Sequence, residues 1–121
     1  MTHGAESLIE MSRSKGYVAK TLYLMVTEPT AGMESGMANL KPHLDYWDAL
    51  ENDGVLFAGG PFLPSPQSGD IPGAGMVIYR AGSFEEATEI AENDPMHLSA
   101  ARRFTLRPWL LNHLNAEGVQ S

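Results

Sequence analysis

The sequence predicts one α+β domain whose elements run strand-helix-strand and then strand-helix-strand again. Three observations carry that prediction. Apolar residues alternate or fill both faces in "YVAKTLYLMVTE", "GMVIYRA" and "RRFTLRPWLL", as strands require. Two intervening stretches repeat their apolar residues at three- and four-residue steps, as helices require. The two halves of the chain carry these patterns in the same order, and 121 residues suffice for one domain with a small core.

Residues 1 to about 16 are polar and patterned only in the short "SLIEM", so a flexible or loosely docked extension is expected there. The domain is expected over 17–115, with a C-terminal tail at 116–121. In the first strand Leu22, Leu24 and Val26 alternate with Tyr23 and Met25, so both faces should be covered. "EPTAGMESGM" reads as a loop from its Pro and Gly. From about Met37 to Asp53, Leu40, His43, Leu44, Trp47 and Leu50 mark a helix that Asn52-Asp53-Gly54 stops. Pro42 is then expected in its first turn, where a missing N–H costs nothing.

"VLFAGGPF" reads as a short buried strand entering a Gly-Pro turn, and "LPSPQSGDIPGAG" as a loop. Ser83 and Glu86 form a capping box for a second helix with Phe84, Ala87, Ile90 and Ala91 on one face. Asp94 falls on that same stripe. A short turn leads into the last strand, which ends near "NHL".

The order is the split βαβ, or ferredoxin-like, arrangement, with both helices on one face of a four-stranded antiparallel sheet. The opposite face is expected to carry residues such as Tyr23, Met25, Val77 or Tyr79, depending on register. No remaining element can cover it, and an exposed apolar patch of that size marks an interface. A homodimer packed sheet on sheet is therefore expected.

Composition narrows the function. Without cysteine there is no disulfide, thiolate metal site or thiol nucleophile. The net charge of -7 repels phosphate backbones and argues against nucleic acid. No apolar run is long enough to span a membrane, and the N-terminus lacks the apolar stretch of a signal peptide, so a cytoplasmic protein is expected. His3, His43, His97 and His113 show no tight metal spacing, so neither a metal nor another cofactor is expected.

His43 lies at the edge of the first helix's apolar stripe. It is either a half-buried histidine satisfied by a carbonyl or a proton-transfer group, a role suited to an imidazole at neutral pH. Asp94 before Pro95 is a helix stop and a cap for the following turn. On an apolar stripe, however, a carboxylate must find a partner or shift its pKa, and His43 on the neighbouring helix is one. Such a pair fixes the tautomer and orientation of the ring.

His97 and Ser99 follow in a turn that either faces the same cleft or lies on the surface. Arg102 and Arg103 begin the last strand and point to opposite faces; only one can bind a ligand carboxylate there. Gly59 and Gly60 form a tight turn or let backbone N–H groups approach a ligand oxyanion.

"KPHLDYWDALENDGVLFAGGPF", "GAGMVIYRAGSFEEATEIAENDPMH" and "ARRFTLRPWLLN" resemble the YCII-related family of small dimeric α+β barrel proteins, from about Lys20 to Leu114. The resemblance is most specific at His43, at the "AGGP" of Ala58 to Pro61, and at Asp94-Pro95 with His97. It implies a ferredoxin-like protomer dimerising through its sheet, with an active site around His43 and Asp94. The family's few known reactions act on products of aromatic ring breakdown, and muconolactone isomerases share the fold.

The expected function is cofactor-free proton transfer, isomerisation or elimination on a small carboxylated or lactone-like molecule. His43 would be the acid or base and Asp94 its orienter, with His97, Ser99, Arg102, Gly59 and Gly60 binding an anionic substrate. The alternative is a non-catalytic ligand-binding or accessory module using the same cleft. A monooxygenase of the wider barrel group is a third reading, weakened by the lack of a cofactor signature.

Overall fold

The structure, a computed structural model, describes residues 4–30, 33–67, 69 and 73–115. Its elements are α1 (Ala5–Ser14), β1 (Lys20–Pro29), α2 (Met33–Asn52), β2 (Leu56–Pro61), β3 (Gly75–Tyr79), α3 (Phe84–Glu92), α4 (Pro95–Leu98) and β4 (Arg102–Leu111). The strands form one sheet in the order β2-β3-β1-β4, with every neighbouring pair antiparallel. From β1 onward this is the ferredoxin-like order expected of the sequence.

Strand parity decides what each face carries. Tyr23 stands opposite Tyr79 and Met25 opposite Val77. These four are buried with Ala87 and Ala91 of α3, and Trp47 and Leu50 of α2 pack against them. The expectation that they sit on the face away from the helices is therefore corrected. Both parities of β1 are apolar, so alternation alone could not choose between them. The small Ala87 and Ala91 let α3 approach the sheet closely enough to enclose two tyrosines. The other face carries Leu22, Ile78 and Leu111, with Phe57 and Met76 packed beside them.

Three further elements differ from expectation. The helix α2 begins at Met33, so Pro42 lies inside it and not in its first turn. An interior proline removes one ladder hydrogen bond and crowds the preceding turn's carbonyl, so the helix is held by its packing. The glycines expected in a turn lie within β2, paired with β3 as Gly59 with Val77 and Gly60 with Met76. The N-terminal extension contains a helix, α1, which touches the far end of the sheet. There Ala5, Leu8 and Ile9 line a crevice with Pro108 and Trp109, and Asn112 Nδ2 donates to Ser12 Oγ at 3.0 Å.

The box that starts α3 forms as expected: Ser83 Oγ accepts from Glu86 N at 3.0 Å, while the Glu86 carboxylate accepts from Gly82 N at 3.1 Å. That fixes where α3 starts; Asn93 ends it, and Asp94 follows as the cap of α4.

Candidate active site

Asp94 caps α4 and is also the hub of a buried cluster. Its carboxylate has no exposed surface. It accepts from Met96 N at 2.9 Å, from Trp47 Nε1 at 2.8 Å, and from His43 Nδ1 at 2.8 and 2.9 Å to its two oxygens. Burial by itself pushes the carboxyl pKa up, but the hydrogen bonds from His43 and Met96 and the nearby histidines outweigh it, holding Asp94 below the ordinary carboxylate range.

An ionised carboxylate only accepts, so the proton of the His43–Asp94 bond is on Nδ1. Neutral His43 therefore keeps a lone pair on Nε2. The Trp47 ring, one helical turn on, lies 4.4 Å from the His43 ring centroid and restrains it.

A second cluster lies on the strands. Arg102 Nε donates to Thr27 Oγ1 at 3.0 Å, and its Nη2 donates to the carbonyls of Thr27 at 3.1 Å and Gly73 at 2.6 Å. His97 Nδ1 donates to the Ala91 carbonyl at 2.6 Å, while its Nε2 meets Thr27 Oγ1 at 2.8 Å. Burial pushes the His97 pKa down, with His43 and Arg102 adding to that, and outweighs the Ala91 carbonyl and Asp94, which oppose it. The ring is therefore neutral at neutral pH, and Thr27 donates to Nε2. Among the described residues, Arg102 has no carboxylate within ion-pair distance.

The two clusters meet at a cavity of about 320 Å³. Its walls include Leu40, His43, Leu44 and Trp47 from one face of α2, with Met96 from α4. Thr27 and Arg102 enter from β1 and β4, and Gly60, Pro61 and Gly73–Gly75 close the β2–β3 side. Gly75 is needed there: a Cβ on it would stand 2.8 Å from the Gly60 carbonyl oxygen. The cavity thus offers an apolar lining, an imidazole, a hydroxyl and a cation with no carboxylate partner among the described residues, a combination suited to a small ligand with an anionic end.

The structure brings His43, Asp94, Arg102 and Gly60 to this site, with Asp94 behind His43 and out of the cavity. His97 does not line it; it stands one layer back, behind Thr27. Ser99 closes the turn after α4, donating to Met96 O and accepting from Ala101 N, each at 3.3 Å. Gly59 packs against β3, where a Cβ would meet Val77 Cγ2 at 3.1 Å. Arg103, on the opposite face, pairs with exposed Glu28 at 2.7 Å.

Sequence reading missed Thr27 and the second role of Trp47. Both left a signal: a hydroxyl follows Tyr23 and Met25 on one strand face, and an indole N–H lies four residues after His43.

The family model described as "YCII-related domain" matches residues 20–110. The "Uncharacterized protein YjpA" of Bacillus subtilis (strain 168) is 33% identical over 89 residues, spanning 74% of this chain and 94% of that protein. A solved structure of 5-chloro-2-hydroxyhydroquinone dehydrochlorinase (TftG) from Burkholderia phenoliruptrix AC1100, in complex with 2,5-dihydroxybenzoquinone, is similar in fold. Its TM-score is 0.60 at 24% identity, over 73% of this chain and 92% of that one.

Proposed function

The chain belongs to the YCII-related domain family, and on that premise we propose that it is a small enzyme moving protons on a compact anionic molecule. The observation that carries this reading is His43, held by ionised Asp94 through Nδ1 and lining the cavity that Arg102 also lines. In an isomerisation or elimination, a ligand C–H bond breaks and its proton passes to His43 Nε2. The released electron pair moves toward a ligand oxygen held by Arg102, or expels a leaving group from the adjacent carbon. Asp94 stabilises the imidazolium so formed, and His43 can return the proton to another atom. Such a step uses side chains alone. The dehydrochlorinase similar in fold performs an elimination by name and was solved with a dihydroxyquinone; that supports the reaction class without naming this protein's substrate.

The test is a panel of hydroxylated quinones, muconates and lactones, followed by absorbance and by exchange of substrate protons in deuterated water. Turnover lost in His43→Ala, with ligand binding kept, supports the reading. Saturable binding without turnover in the wild type favours a ligand-binding module instead.

The active unit in this proposal is a homodimer formed through the sheet face away from the helices. On that face Leu24, Val26 and Met76 are only half-buried and Trp109 is 37% exposed. A stable pair should bury about 1,200 Å² or more, and a monomer by light scattering at micromolar concentration overturns it.

A further inference from the structure

The Thr27 hydroxyl lines the cavity, and the direction of its hydrogen bonds is controlled by another side chain, His97. We propose that His97 is a positioning residue that sets whether Thr27 meets the cavity's ligand as an acceptor or as a donor. This rests on the reading of the cavity as an anion-binding site.

A hydroxyl has one proton and two lone pairs. The Ala91 carbonyl can only accept, so His97 carries a proton on Nδ1. With the ring neutral, Nε2 is an acceptor and takes the Thr27 proton. One lone pair of Thr27 then receives Arg102 Nε–H, and only the other is left for a ligand.

When His97 is protonated, Nε2 becomes a donor. Both lone pairs of Thr27 are then occupied, one by Arg102 and one by His97. The hydroxyl proton must turn elsewhere, and the cavity that Thr27 lines is where it finds an acceptor. Thr27 thus changes from an acceptor, which disfavours an anion, to a donor beside the Arg102 guanidinium.

The charged and titratable groups around His97 are Asp94 at the start of α4, His43 on α2 and Arg102 on β4. Arg102 and His43 oppose a charge on the ring and Asp94 favours it. A bound anion offsets Arg102, so ligand binding and proton uptake at His97 reinforce each other.

The probe is benzenesulfonate, which stays anionic throughout, titrated by calorimetry while ring nitrogen shifts from NMR follow each histidine. In the wild type, affinity should rise about tenfold as pH falls through the His97 titration, the gain of one hydrogen bond to a charged group. Thr27→Ser should keep that rise. Thr27→Val should lose most of it while His97 still titrates; the His97 charge acts on the anion in all three proteins, so the part lost belongs to the hydroxyl.

The unliganded wild type should show neutral His97 protonated on Nδ1. Protonation on Nε2 instead, or a pH dependence unchanged in Thr27→Val, overturns the proposal while leaving the anion site intact. No binding of benzenesulfonate at any pH overturns the anion-site reading itself, and this proposal with it.

Discussion

The two histidines at the site differ in what holds Nδ1 and in what meets Nε2, and the difference separates their roles. His43 donates its Nδ1–H to a buried carboxylate and lines a cavity; His97 donates its Nδ1–H to a carbonyl and has Nε2 occupied by a hydroxyl. A carboxylate supplies the full negative charge that stabilises an imidazolium, and a carbonyl dipole supplies much less. The surroundings reinforce this: burial and the Arg102 charge both hold His97 neutral. In the proposed reaction the same side chain is thus a proton carrier in one place and a fixed hydrogen-bonding post in the other.

The largest test of that contrast is the removal of each ring. His43→Ala should lower turnover by about 10²–10⁴-fold, with oligomeric state and secondary structure unchanged by light scattering and circular dichroism. His97→Ala should act mainly on ligand affinity. A comparable loss of turnover at saturating substrate in both variants would erase the distinction.

Next in size is Asp94→Ala, which strips a buried acceptor from His43, Trp47 Nε1 and Met96 N together. Breaking a buried pair costs roughly 3–5 kcal/mol, so denaturant unfolding should show a large fall in midpoint. Asp94→Asn keeps the shape but not the charge, and should cost less stability than Asp94→Ala while still slowing turnover.

Arg102→Gln removes the cavity's cation and should weaken anion binding by about tenfold or more, read as a rise in KM larger than the fall in kcat. Its neighbour supplies the control: Arg103→Ala breaks only an exposed pair with Glu28, and its effect on stability and affinity should stay within about 0.5 kcal/mol.

Stability against pH gives the smallest and most specific signal. Asp94 has a folded pKa below its unfolded value, so its contribution is fully present above about pH 4 and is lost as pH falls through the folded value. The His97 pKa is also lowered on folding. In the window from about 6.5 down to its folded value the unfolded chain binds more protons, and stability falls as pH falls. Thermal melts across that window should be flatter in His97→Gln than in the wild type, and unchanged steepness would show that His97 is not the group responsible.

Much of the fold was legible because local pattern and global order agree here. Strand alternation, helix spacing and the Ser83–Glu86 box each act over a few residues, and together they admit the ferredoxin-like order. The His43–Asp94 approach was legible for a related reason: a carboxylate on an apolar helix stripe has to be neutralised or bonded, and α2 carries a titratable group on its own buried edge. What local pattern could not decide was parity. Both faces of β1 are apolar, so only packing against Ala87 and Ala91 determined that Tyr23 and Met25 lie under the helices.

The same limit applies to the site. The sequence by itself determined the element order, the helix stripe that lines the cavity and the pairing of an imidazole with a carboxylate, because short-range spacing governs each. Only the tertiary structure decided that Arg102 and not Arg103 faces the cavity, that Gly59 and Gly60 are strand residues, and that His97 stands behind Thr27. Those outcomes depend on strand register and on hydrogen bonds between residues about 70 positions apart, and no local spacing encodes which way a side chain turns when its partners come from another strand.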